Sequence, residues 1–85
     1  MYYLYVLVNP RNRALYYGFS SDLKSRMKRH REREHIGWKL AYYEAYLDED
    51  EARNRERKLK QYGNSRGHLK KRIHNSIEQV LKSAG

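Results

Sequence analysis

The chain opens on an apolar run, Tyr2-Tyr3-Leu4-Tyr5-Val6-Leu7-Val8, built from residue types that strands favour. Alternation puts Tyr3, Tyr5 and Leu7 on one face and Tyr2, Leu4, Val6 and Val8 on the other. Both faces are apolar, which predicts a strand covered on both sides. Asn9-Pro10-Arg11-Asn12 is a turn cluster, and residues 13–19 predict the returning strand. A loop of residues 9–12 pairs Val8 with Arg13 and sets Tyr5 directly opposite Tyr16. Opposed residues share a face, so two phenols stand side by side.

Polar periodicity takes over after the hairpin. Ser20-Ser21-Asp22 offers N-cap side chains for a helix over about 22–34, with Leu23, Met27 and His30 on one stripe and Arg26 beside it. Ile36-Gly37 ends that helix, and residues 38–47 predict a third strand. Asp48-Glu49-Asp50-Glu51 places four acidic residues where a helix N-terminus favours negative charge. That helix runs to about Tyr62 and stops at Gly63-Asn64. Its apolar stripe is Ala52, position 56 and Leu59, and position 56 is Glu. Gly67 precedes a last helix with Leu69, Ile73, Ile77 and Val80 on one face. The order β-β-α-β-α-α predicts an α+β fold, a small three-stranded antiparallel sheet flanked by helices. No repeat or linker interrupts it, so residues 1–85 read as a single domain.

Composition sharpens this picture. Cys is absent, which excludes disulfides, thiolate metal sites and a Cys nucleophile. Nine Tyr accompany one Trp and one Phe, so the core carries hydroxyls. No apolar run approaches the roughly 20 residues of a membrane span, and the N-terminus has no basic lead-in. The expectation is a soluble cytoplasmic protein without membrane contact. The net charge of +9 points to a polyanionic partner. Most of the excess is local: residues 53–72 carry nine basic residues against Glu56, a net +8. Arg53, Arg57, Lys58, Lys60, Arg66, Lys70 and Lys71 are therefore the candidates for a nucleic-acid backbone. A merely soluble basic surface is the plainer alternative.

Three groups can carry chemistry. Glu56 lies on a stripe that should face the protein, where a carboxylate needs a partner or a metal. An i, i+4 ion pair with Lys60 satisfies it as well as a ligand role does. Arg26 and His30 read either as members of a solvated basic helix or as a phosphate clamp with an imidazole beside it, a task to which the planar Arg fork is suited. Tyr5 and Tyr16 read as aromatic packing, or as phenols whose proton chemistry neighbouring cations assist.

Taken together these residues resemble the GIY-YIG nuclease domain family. Tyr3-Leu4-Tyr5 stands for the first motif element and Tyr16-Tyr17-Gly18 for the second, with eleven positions from Tyr5 to Tyr16. Arg26, ten positions after Tyr16, matches the family's helix arginine, and His30 follows four residues later. Glu56, in Arg55-Glu56-Arg57-Lys58, matches the metal-binding glutamate of a later helix. The resemblance spans essentially the whole chain. It is nearest to small stand-alone members of bacterial type, similar to the nuclease module of the DNA-repair excinuclease. Tyr3 replaces the first motif Gly, Tyr17 replaces the Ile of the second element, and the stretch between His30 and Trp38 is short. His35 is the available counterpart of a second family histidine, and Asn64 and Asn75 of a late asparagine.

The resemblance implies metal-dependent phosphodiester hydrolysis in DNA, with RNA a possible ligand and no organic cofactor. It implies catalytic roles for Tyr5, Tyr16, Arg26, His30 and Glu56, with Glu56 the protein's ligand to Mg²⁺ or Mn²⁺. In that scheme Arg26 holds a nonbridging phosphate oxygen, Tyr16 is the first choice as general base, Tyr5 positions the water or shares its proton, and His30 polarises or relays. A monomer or weak dimer is expected, so duplex cleavage needs two copies or two encounters. A non-catalytic DNA- or RNA-binding module of the same fold is the competing expectation.

Overall fold

The computed structural model describes residues 1–83. Strands β1 (Tyr2–Val8), β2 (Leu15–Ser20) and β3 (Lys39–Tyr46) form one antiparallel sheet in the order β2-β1-β3. Helix α1 (Leu23–Arg29) runs on into a π-helical turn, His30–Glu34. Helices α2 (Glu49–Gln61), α3 (Gly63–Arg72) and α4 (His74–Ser83) follow β3. The α+β architecture expected from the hydrophobic pattern is present. Among the described residues no helix is long and apolar enough to cross a membrane.

Central position explains β1. Leu4, Tyr5, Val6, Leu7 and Val8 are all buried, because each face of the strand has a cover. Leu4 and Val6 face Tyr17, Leu59, Leu69 and Ile73, with Tyr42, Tyr46 and Ile77 at the margin, so α2, α3 and α4 build the main core on this side. Tyr5 and Leu7 face the other way, toward α1 and the π turn, and Tyr5 and His30 meet there. A bulge in β3 between the partners of Val6 and Leu7 turns Leu40 onto this second face.

The hairpin register differs from expectation by two residues. The loop comprises residues 9–14, so Val8 pairs with Leu15, Tyr5 with Gly18, and Leu7 with Tyr16. Asn side chains set this longer loop: Asn9 Oδ1 accepts the Arg11 N–H and Asn12 Oδ1 accepts the Ala14 N–H. Arg13 takes a left-handed φ of 63°, and its guanidinium pairs with Glu78 of α4. An even shift keeps every side chain on its face. Tyr5 and Tyr16 are thus diagonal neighbours, with ring centroids 6.2 Å apart, and not directly opposed.

The C-terminal part also departs from expectation. Gly67 lies inside α3, and the chain breaks at Ile73, so two helices stand where one was expected. The apolar stripe still holds: Leu69 and Ile73 are buried and Ile77 packs against the same cluster. Helix α2 is capped as its sequence requires. Asp48 accepts the Glu51 N–H at 3.0 Å, and acidic residues fill the first turn. At its other end Arg66 Nη1 donates to the Leu59 and Lys60 carbonyls, both at 3.0 Å. Those carbonyls have no partner inside the helix, so Arg66 closes α2. Its guanidinium thus has a structural task that the expectation of a backbone-binding residue did not include.

Candidate active site

Burial of a phenol creates the centre of the site. Tyr5 is wholly inaccessible, and its ring lies directly over the backbone of Gly18, its cross-strand partner. A Cβ at position 18 would overlap Tyr5 Cζ and the hydroxyl oxygen, so only Gly permits this approach. A buried hydroxyl needs a partner, and Tyr5 has one: its oxygen is 2.7 Å from His30 Nε2.

His30 is itself 2 % exposed. The π turn brings a second imidazole to it. The His35 N–H donates to the His30 carbonyl at 2.9 Å, a reach of five residues. In an α-helix positions five apart would face about 140° away from each other. The wider turn instead sets His30 Nδ1 and His35 Nδ1 2.8 Å apart. Two proton arrangements satisfy the row. Either Tyr5 donates to His30 and His30 to His35, or His35 donates to His30 and His30 to Tyr5.

Tyr16 stands against this row from β2, its ring 4.4 Å from His35 and 5.5 Å from His30. Unlike Tyr5 it is only half-buried. Burial pushes the Tyr5 phenol far above the usual tyrosine range, Tyr16 adds to this, and the Arg26 guanidinium opposes it. Tyr5 is therefore a neutral phenol at neutral pH. Burial also pulls the His30 imidazole below its ordinary value, with His35 adding to the effect and Glu34 opposing it. His30 is neutral too at neutral pH.

Arg26, one turn before His30 on α1, reaches the Tyr5 side of this group. Glu56 approaches from α2. Its carboxylate pairs with Lys60 Nζ at 3.1 Å, and that ammonium lies 5.7 Å from the Tyr16 ring centroid. The Glu56 side chain is 23 % exposed, at the edge of the buried stripe formed by Ala52 and Leu59. The ion pair anticipated for it is present. Both readings of Glu56 remain compatible with this geometry, since an accessible carboxylate is also the donor a hydrated Mg²⁺ takes when substrate phosphate and waters complete its shell.

The basic residues divide by surroundings. Lys58, Lys70 and Lys71 are exposed. Arg53 stacks 4.3 Å over Phe19 and pairs with Glu49, while Arg57 donates to Asn54. Arg55 is drawn inward to Glu44, which also accepts from the Tyr42 and Tyr46 hydroxyls. Burial alone would raise the Glu44 carboxyl, but these three donors hold it below its ordinary value. Asn64 and Asn75 are exposed on α3 and α4.

The family model described as the GIY-YIG catalytic domain matches residues 1–72. No curated protein and no solved structure matches the chain significantly.

Proposed function

The chain belongs to the GIY-YIG catalytic-domain family, whose members are typically nucleases, and from that premise we propose that it is a divalent-metal-dependent endonuclease hydrolysing phosphodiester bonds in DNA. One observation carries the reading: Tyr5, Tyr16 and His30 meet on the α1 face of the sheet with Arg26 beside them, and Lys60 links Glu56 to the Tyr16 ring. A nuclease needs a phosphate clamp, a proton acceptor and positive charge at the leaving oxygen, and these residue types supply them.

Tyr5 and Tyr16 then have different tasks. Tyr5 has no access to solvent, so no attacking water reaches its hydroxyl. Tyr16 is the accessible phenol and takes the proton of the water. The hydrogen bond between Tyr5 and His30 fixes the imidazole against which Tyr16 packs. Arg26 neutralises a nonbridging oxygen of the phosphate as charge builds there. Glu56 would hold the divalent ion, which supplies positive charge at the scissile phosphate when bound. Lys58, Lys70 and Lys71 are exposed cations that suit a DNA backbone, and none of them reads base sequence.

The test is cleavage of single-stranded, duplex and branched DNA with Mg²⁺ or Mn²⁺. Replacing Arg26 by Ala should lower the rate by about 10²–10³-fold, as the loss of a transition-state donor does. Equal rates for wild type and Arg26→Ala would sink the assignment. A second reading, a non-catalytic DNA- or RNA-binding module, is favoured by the Glu56–Lys60 pair, which occupies the proposed metal ligand. Binding without metal-dependent cleavage, in both wild type and Lys60→Ala, would establish that reading.

A further inference from the structure

We propose that His30, Glu34 and His35 form a binding site for a Zn²⁺-class transition-metal ion, separate from the role assigned to Glu56. One ligand atom from each of the three lies within 4.8 Å of those of the other two. His30 Nδ1 is 2.8 Å from His35 Nδ1 and 3.7 Å from Glu34 Oε2. A tetrahedral ion at about 2.0–2.1 Å from each donor sets those donors about 3.3–3.4 Å apart. The His30–His35 gap therefore widens by about half an ångström, the His30–Glu34 gap closes by slightly less, and the Glu34–His35 gap, no more than 4.8 Å, settles to the same spacing. These moves fall to Glu34, which is exposed, and to His35, which is half-buried, while His30 stays fixed.

The fold builds this site in one place. The π turn brings residues five apart to one side, which an α-helix would separate. Without an ion the two facing Nδ1 atoms need a shared proton, since two bare lone pairs repel. An ion takes the place of that proton, which moves to Nε2 of the ring that carried it, so that both Nδ1 lone pairs face the ion. His30 then carries its single proton on Nε2 and donates it to the Tyr5 oxygen, 2.7 Å away. Metal-bound imidazoles characteristically have such an outer partner, which fixes tautomer and ring orientation. Tyr16 and Trp38 flank His35 with ring centroids at 4.4 and 4.8 Å, while the exposed Glu34 leaves a route from solvent. Two imidazoles and one carboxylate select Zn²⁺ and its neighbours over Mg²⁺, which takes oxygen donors. An open fourth position remains for water.

The proposal does not depend on nuclease activity, and its test reads binding. Metal-free protein is titrated with Zn²⁺ by calorimetry, and with Co²⁺ while following the visible ligand-field bands of four-coordinate cobalt. The expected result is one ion per chain, retained in excess Mg²⁺ and unchanged in Glu56→Ala. His35→Ala should weaken binding by at least about 10-fold, and Tyr5→Phe by about 10–100-fold as an outer-shell loss does. His68→Ala and His74→Ala should leave it unchanged. Glu34→Gln alters an exposed side chain, so a folded variant is available even where a buried substitution fails. Zn²⁺ binding that is absent, that survives in both His35→Ala and Glu34→Gln, or that is lost in Glu56→Ala would overturn the site. Any of these outcomes leaves the DNA-cleavage assay to judge the nuclease assignment on its own.

Discussion

Removing the Tyr5 hydroxyl separates the two phenols of the site. Tyr5→Phe keeps the ring over Gly18 and deletes only the bond to His30 Nε2. Both partners are within 2 % of full burial, so no water replaces the lost group. Leaving a buried neutral polar atom unsatisfied costs about 1–3 kcal/mol. The neutral imidazole and the unaltered packing favour the lower half of that range, about 1–2 kcal/mol. In a domain of this size each kcal/mol lowers the melting temperature by about 4–8 °C, so a fall of about 4–16 °C is expected by circular dichroism. Catalysis should respond in the opposite order. Tyr16→Phe removes the proposed base and should lower kcat by about 10²–10⁴-fold with little change in melting temperature. Tyr5→Phe should lower kcat by less than about 10-fold when measured well below its melting transition. The reasoning is refuted if Tyr5→Phe is as inactive as Tyr16→Phe while keeping wild-type stability.

Other consequences follow from the same contacts. Gly18→Ala forces a Cβ into the Tyr5 ring and should destabilise by about 1–3 kcal/mol, read from urea unfolding; wild-type stability would show that the ring is not held there. Tyr17 has a buried hydroxyl with no hydrogen-bond partner among the described residues, so Tyr17→Phe should be neutral or stabilise by about 1 kcal/mol, and a clear loss in thermal melts would reveal a partner. The depressed His30 pKa makes the unfolded chain bind more protons than the folded one as pH falls. The stability from neutral His30 is therefore complete above the ordinary histidine value near 6.5 and declines as pH drops below it. Comparing wild type with His30→Gln in pH-dependent denaturation checks this, since the slope just below that value should shrink in the variant.

Strand identity and face were legible in the sequence because alternation with a period of two survives any even change of register. Tyr5 and Tyr16 share a face for that reason even though the loop is longer than its Asn-Pro signal suggested. The loop's length depends on Asn9 and Asn12 side-chain bonds and on a left-handed Arg13, and none of these has a distinctive residue pattern. The grouping of Tyr5, Tyr16, His30 and Arg26 was anticipated through the family spacing. The pairing of His30 with His35 was not, because helical periodicity assigns positions five apart to different faces. Only the π turn reverses that, and its signal was the short stretch before Trp38. The inward glutamate of β3, Glu44, was also missed. Its alternation with Tyr42 and Tyr46 places three polar tips on the core face, where Arg55 completes the group.

The central claim, that the site around Tyr16, His30 and Arg26 hydrolyses DNA with an ion held at Glu56, has a direct test. Mg²⁺-dependent strand cleavage by Glu56→Ala is compared with that by wild type, with DNA affinity measured on the same preparations. The account predicts metal-dependent cleavage by wild type, cleavage at the metal-free background for Glu56→Ala, and similar DNA affinity for both. Cleavage by Glu56→Ala at the wild-type rate, or none by either protein, would contradict it.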